Sequence, residues 1–361
     1  NDFDGIVAGA PAFAYQALNA AGIWNLQRIF RNNLAGNLAV DTNSDGSFDS
    51  LKLIDVLHEQ VLGKCDANDG ITDGVINNPL ACDFDPSRDL NDLMCPAGTS
   101  TDECFSEAQL QTTIDLYTGP VDDDGNSVYP GKALGSEPQW ARYYVPYNGN
   151  NMGPSKLVGV AGDHMNYLFY EQDPGRTIPD VRDYQYQPRT DGVFPEFHWI
   201  DYDINDFYSG KGDLMKAITD AEDPNLTQFL EDRSGKLIVY HGWSDTLIVA
   251  EDTLDYFNDM VNVTFSGSIA AASESARLFL APGMGHCAGG PGPNSWDKLA
   301  PLVDWVENGV APSSIIATHS SNGSVDNERP ICAYPQQATY TGPTSGQNNP
   351  ENWVAENFIC Q

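Results

Sequence analysis

Two residues of this 361-residue chain have the type and the setting for acid–base chemistry. Asp245 closes the stretch Lys-Leu-Ile-Val-Tyr-His-Gly-Trp-Ser-Asp that begins at Lys236, and His286 lies in Pro-Gly-Met-Gly-His-Cys from Pro282. A carboxylate bonded to an imidazole fixes its tautomer and stabilises the imidazolium. The imidazole can then take a proton from a nucleophile and return it to a leaving group. A lone Asp or His is weak evidence, because either can be a structural hydrogen-bonding residue. Here both sit in the same device, an apolar run emptying into a glycine turn.

Those runs are the elements that must position the pair. Leu237 to Tyr240 carries no charge, and Ala276 to Ala281 is a second apolar run; both fit buried parallel strands better than half-exposed antiparallel ones. Side chains on the loops leaving the carboxyl ends of such strands are where open α/β sheets keep their active sites. An acid followed by a histidine in that setting is the second half of the Ser, Asp, His order of α/β-hydrolases. The first half is missing: no Gly-x-Ser-x-Gly elbow occurs in the sequence. Cys287 is a poor substitute nucleophile, since its side chain leaves the backbone on the other side from its neighbour His286.

Composition narrows the partners. The chain holds 51 acidic and 18 basic residues, a formal net charge of -33. Such a field repels phosphate backbones and anionic lipid headgroups, so neither nucleic acid nor membrane is an expected partner. No run approaches the roughly 18 apolar residues of a membrane span. The sequence starts Asn-Asp-Phe-Asp, unlike a signal peptide, and is read as beginning downstream of any export signal. Of seven cysteines, Cys65 and Cys82, Cys95 and Cys104, and Cys332 and Cys360 are read as disulfides, because no Cys-x-x-Cys occurs and the histidines are scattered. This distribution predicts an oxidising, secreted setting and leaves Cys287 over. Asn225, Asn262 and Asn322 begin N-glycosylation sequons.

Two acidic loops have cation-binding character. In Cys65-Asp-Ala-Asn-Asp-Gly-Ile-Thr-Asp-Gly-Val-Ile, the carboxylates of Asp66, Asp69 and Asp73 could surround one Ca2+ while carbonyls such as those of Ile71 and Val75 complete an oxygen shell. A solvated acidic loop is the competing reading. Asp41 to Asp49 follows the first nine positions of an EF-hand loop, but Lys52 stands where the bidentate Glu belongs; the alternative is an Asx-rich turn capping a helix from Leu51 to Leu62.

Elsewhere, helical spacing predicts helices over Ala12–Asn32, Glu251–Val261 and Ser295–Asn308, and Ser106 with Gln109 forms a capping box for a helix reaching Tyr117. Residues 120–225 read mostly as loop, with some return to helix from Asp203 to Ala221. Aromatic residues crowd Trp140 to Phe207, including Tyr143, Tyr144, Tyr167, Phe169, Phe194, Phe197, His198 and Trp199. Such density suits a lid over a ring-bearing ligand, although most of these rings are expected to pack against one another. The tail from Ala311 shows no periodicity and reads as structureless.

Phe3-Asp-Gly-Ile-Val-Ala-Gly-Ala-Pro, the Cys65 to Ile76 loop, Gly235 to Asp245, Pro282-Gly-Met-Gly-His-Cys-Ala-Gly-Gly-Pro-Gly, and Arg329-Pro-Ile-Cys with Phe358-Ile-Cys together resemble the tannase/feruloyl esterase family, nearly end to end. That family also contains the hydrolase of mono(2-hydroxyethyl) terephthalate. The resemblance implies an α/β-hydrolase core from residues 1–13 and 233–361 and an inserted lid domain from 14–232. It implies that Asp245 is the triad acid and His286 the base, and that Asp66, Asp69, Ile71, Asp73 and Val75 hold Ca2+. It further implies a Gly-Cys-Ser-x-Gly-Gly elbow upstream of the Phe-Asp-Gly strand, whose cysteine bonds Cys287. On that expectation the serine belongs to an N-terminal chain or segment disulfide-linked through Cys287, either because the mature protein is cut there, the preferred reading, or because the sequence is a fragment.

The expected activity is hydrolysis of esters of aromatic acids, galloyl or hydroxycinnamoyl, through an acyl-enzyme. Its alternatives are an aromatic monoester hydrolase of the terephthalate type and a catalytically silent calcium-dependent binding module that retains the fold.

Overall fold

The computed structural model describes residues 3–99, 101–148, 154–170, 199, 202–343 and 349–361. Three parallel strands form the central sheet in the order β1 (Gly5–Gly9), β2 (Lys236–Gly242), β3 (Ala276–Ala281). Gly5 pairs with Lys236, and Val239 with Leu278. Parallel neighbours need a crossover, and the two here differ greatly in size. Between β2 and β3 runs the helix Ala250–Thr264; between β1 and β2 the chain leaves for more than two hundred residues before returning.

Both faces of β2 are covered, which explains its uninterrupted apolar run. Leu237 and Val239 face the Ala250–Thr264 helix, whose Leu254, Phe257 and Val261 recur at helical spacing within one buried cluster. Ile238 faces the other way, packing with Phe279 and with Leu302 and Trp305 of the helix Ala300–Asn308. Each such buried side chain contributes roughly 1.5–3 kcal/mol relative to exposure.

The long insertion builds its own core. Ile23, Leu26 and Ile29 of the helix Tyr15–Leu34 meet Leu53 and Leu57 of the helix Lys52–Cys65, with Phe105, Trp140 and Tyr144, all nearly inaccessible. The helix Glu107–Thr118 begins at the expected capping box: Ser106 and Gln109 bond reciprocally. Disulfides join Cys65 to Cys82, Cys95 to Cys104 and Cys332 to Cys360, leaving Cys287 free. No helix among the described residues is long and apolar enough to cross a membrane.

Four expectations need correction. The region read as loop contains the helices Glu137–Tyr143 and Pro154–His164, whose small and aromatic residues blur the helical pattern. The tail is not structureless: β4 (Ser314–Ser321) and β5 (Ser324–Cys332) form an antiparallel hairpin, and β6 (Ala338–Tyr340) pairs with β7 (Phe358–Cys360). A register shift between His319 and Ser320, and Pro330 within β5, obscure the two-residue alternation. The third helix expected from Ser295 starts only at Ala300. Finally, the acids of the Asp41 loop do not cap the Lys52–Cys65 helix, whose N-cap Leu51 has no side-chain bond; Asp41 instead accepts from the backbone of Asp45 and Gly46.

Candidate active site

The loops that leave β2 and β3 are bonded to each other. Trp243 N–H donates to Ala281 O, and Ser244 N–H to Met284 O, both at 2.9 Å. Gly242 makes this approach possible: a Cβ there would lie 2.2 Å from Met284 O. As a result Asp245 and His286, 41 residues apart in sequence, meet with Nδ1 of His286 2.8 Å from Oδ2 of Asp245.

Asp245 is inaccessible, and every carboxylate oxygen is engaged. Oδ1 accepts from the N–H groups of Leu247 and Ile248 at 2.9 and 3.0 Å. Oδ2 accepts from His286 and lies 3.4 Å from Nε2 of His241. Burial pushes this carboxyl up, but the contacts with His241 and His286 outweigh it and hold it at about 2. An ionised acceptor requires Nδ1 of His286 to carry the proton. Nε2 then has its lone pair free, and it takes no hydrogen bond among the described residues; the side chain is 31% exposed. The bond to Asp245 raises the His286 pKa above the ordinary imidazole value, against burial and the nearby Arg142.

His241, inside β2 and wholly buried, was not singled out by sequence reasoning. Its Nε2–H donates to Ile248 O at 2.9 Å, so Nδ1 is left to accept from the Thr253 hydroxyl at 2.8 Å. The signal was legible: a polar ring in an otherwise apolar strand must find partners. Also unforeseen is how the insertion grips the acid's loop: Ser244 Oγ donates to Gly135 O at 3.2 Å, and Val249 N–H to Tyr129 Oη at 3.3 Å.

Cys287 adopts φ 59° and is half-buried. Burial and Asp245 push its thiol up, with Lys298 opposing, the reverse of what an activated thiolate needs. Of the crowded aromatic residues, Trp140, Tyr144, Phe169 and Trp199 belong to the buried core of the insertion. Tyr143 is half-buried. Phe194, Phe197 and His198 lie outside the described residues, as does the side chain of Tyr167.

The loop from Cys65 to Ile76 packs against the tail through Gly70 and Asp73, and its Val75 reaches Gly283 of the loop that carries His286. Asp66 accepts from the N–H groups of Asp73 and Gly74, and Asp69 Oδ1 from Ile71. Asp73 Oδ2 accepts from Asn327 at 3.0 Å and Arg329 at 2.9 Å. Asp69 Oδ2 and Asp73 Oδ1 are buried without a hydrogen bond, and the carbonyls of Ile71 and Val75 accept none among the described residues. Among the described residues no three His, Cys, Asp or Glu side chains converge into a metal centre of side chains alone.

Comparison with known proteins gives a consistent picture. The family model described as "Tannase and feruloyl esterase" matches residues 1–355. The chain is 32% identical over 390 residues to a mono(2-hydroxyethyl) terephthalate hydrolase of Piscinibacter sakaiensis, covering 99% of this chain and 59% of that protein. It is 28% identical to a probable feruloyl esterase B-2 of Aspergillus terreus, covering 95% of this chain and 59% of the relative. The chain therefore spans about three fifths of the curated relatives it matches. Its fold is that of the crystal structure of feruloyl esterase B from Aspergillus oryzae, with TM-score 0.73 and 23% identity, over 100% of this chain and 64% of the other.

Proposed function

Because the chain belongs to the tannase and feruloyl esterase family, we propose that it supplies the acid, the base and the lid of a serine carboxylesterase acting on esters of aromatic acids. The observation that carries this reading is the Asp245–His286 hydrogen bond at the ends of two adjacent parallel strands. His286 Nε2 takes the proton of a serine hydroxyl as it attacks the ester carbonyl. The resulting imidazolium, stabilised by Asp245, protonates the leaving alcohol, and the same atom then activates the water that releases the acyl group. Raising the basicity of His286 helps the first transfer; a buried, ionised Asp245 prevents the ring from turning over.

The serine is assigned to an N-terminal segment outside this sequence, which itself has no Gly-x-Ser-x-Gly elbow. Cys287, free and beside the base, is the proposed point of its disulfide. Residues 14–232 are assigned as the lid domain, supported by a large cluster of buried hydrophobic residues drawn from them with only Val249 added from beyond β2. Galloyl and hydroxycinnamoyl esters are the proposed substrates, with terephthalate monoesters as the alternative, since relatives of both kinds are recovered. The three disulfides support secretion, and exposed Asn225, Asn262 and Asn322 are available for glycosylation.

Ca2+ is assigned to Asp66, Asp69 and Asp73 with the carbonyls of Ile71 and Val75. The fit rests on two buried carboxylate oxygens without hydrogen bonds and two unused carbonyls, a hard oxygen donor set. Bound there, the ion would neutralise charge and tie the loop together; it takes no part in proton transfer.

The test is hydrolysis of gallate, ferulate and terephthalate esters by the full-length protein, with His286→Ala as control, alongside a non-reducing gel. Turnover of at least one ester, lost in the variant, and a reduction-sensitive link at Cys287 are expected. Inactivity on all three, or full activity from an unlinked species, contradicts the assignment.

A further inference from the structure

Lys132 is almost wholly buried in the insertion, yet makes no ion pair among the described residues. Its Nζ donates to Thr246 O at 2.6 Å and to Tyr144 Oη at 2.9 Å, and the Tyr144 hydroxyl donates to the same Thr246 O at 2.9 Å. Two donors from one domain thus converge on a single carbonyl next to the acid of the other. Burying an ammonium without a paired carboxylate costs several kcal/mol unless its hydrogen bonds are good, and burial pushes this amine down to about 7 against the pull of Asp245; the carbonyl that both donors hold is therefore the feature to explain.

The answer lies in the peptide plane. Thr246 C=O and Leu247 N–H belong to one planar trans unit, in which oxygen and hydrogen point in opposite directions. Leu247 N–H is the donor to Asp245 Oδ1, at 2.9 Å. Fixing the oxygen at one end of this plate aims the hydrogen at the other, and two hydrogen bonds donated to the oxygen polarise the amide toward stronger donation. With Oδ1 held in this way, Oδ2 is turned to His286.

We propose that Lys132 and Tyr144 are positioning residues, which orient the Asp245 carboxylate through the Thr246–Leu247 peptide and so make assembly of the acid–base pair depend on docking of the lid. The inference rests on Asp245 and His286 acting as a pair and goes beyond the esterase reading in assigning the lid a structural part in it. Asp245 and His241 from the end of β2, Asp252 from the neighbouring helix, and Tyr129, Tyr143 and Tyr144 from the insertion are titratable groups around this contact.

The experiment is amide hydrogen exchange at Leu247 together with NMR titration of the His286 ring, in the intact chain and in Lys132→Met and Tyr144→Phe. Lys132→Met removes a buried charge while keeping the bulk of the stem, and Tyr144→Phe removes one donor without changing charge. Positioning predicts exchange at Leu247 faster by about tenfold in Lys132→Met and by less in Tyr144→Phe, with the Met260 amide, in the helix behind, unchanged. It also predicts that the His286 midpoint falls by roughly half a pH unit as the bond to Asp245 loosens. Loss of the lysine charge alone moves that midpoint upward, so the sign separates positioning from simple electrostatics. Unchanged Leu247 exchange in both variants, or a rising His286 midpoint, overturns the proposal. No ester enters the experiment, so failure of the esterase reading registers separately.

Discussion

Asp245 and Asp69 are both buried aspartates, and the molecule treats their charges in opposite ways. Two histidines and two backbone N–H groups surround Asp245 and hold it ionised, at about 2. Asp69 has one backbone N–H and Arg329 at 3.3 Å, and burial pushes it up to about 7 despite that arginine. The first carboxylate is complete within the protein. The second has an oxygen, Oδ2, that takes no hydrogen bond and faces only the Arg329 guanidinium at 3.3 Å, which leaves it open to the proposed cation. Burial alone does not distinguish the proposed triad acid from the proposed metal ligand; the accounting of their oxygens does.

The contrast can be broken at either end. The largest expected effect is on catalysis: His286→Ala in the full-length protein should lower kcat by roughly 10^4-fold, with KM much less affected, as measured with the best ester of the panel. Removing the proposed calcium should come next. A chelator should lower the thermal midpoint, since a ligand present at a hundred to a thousand times its Kd adds about 3–4 kcal/mol. Asp69→Asn should shrink that calcium-dependent shift while leaving the Asp245–His286 bond intact; an equal shift in the variant would remove Asp69 from the shell. Gly242→Ala should cost about 1–3 kcal/mol in denaturant unfolding, because its methyl would strike Met284 O, 2.2 Å away. The smallest effect is expected for Thr253→Val, roughly 1 kcal/mol, from the lost hydroxyl that donates to His241 Nδ1; a change near zero would make that bond dispensable.

The same contrast shows what could be read without coordinates. The strands behind Asp245 and His286 were legible because both their faces are covered, which demands an unbroken apolar run, and the Ser106 capping box was legible because it is purely local. The β4–β5 hairpin was not, since its register shift and Pro330 hide the alternation. The contacts of Lys132, Tyr129 and Gly135 with the acid's loop were equally hidden, for they join residues more than a hundred positions apart. Asp66, Asp69 and Asp73 were visible as a loop, but Arg329 and Asn327, over two hundred and fifty positions away from Asp73, carry no local mark of their role beside it.

In the proposed mechanism Asp245 sets the basicity and orientation of His286 for proton transfer. A group whose folded pKa is raised contributes stability below its unfolded value and loses it as pH climbs past the folded one. For catalysis the same shift places the acid limb of the pH–rate profile above the ordinary histidine value of 6.5. The deciding measurement is kcat/KM against pH for the full-length protein and its Asp245→Asn variant. The expected result is a limb above 6.5 in the parent, and in the variant a maximal rate lower by roughly 10^4-fold with the limb moved to lower pH. A variant that keeps most of the rate, with the limb where it was, would show that His286 does not depend on Asp245.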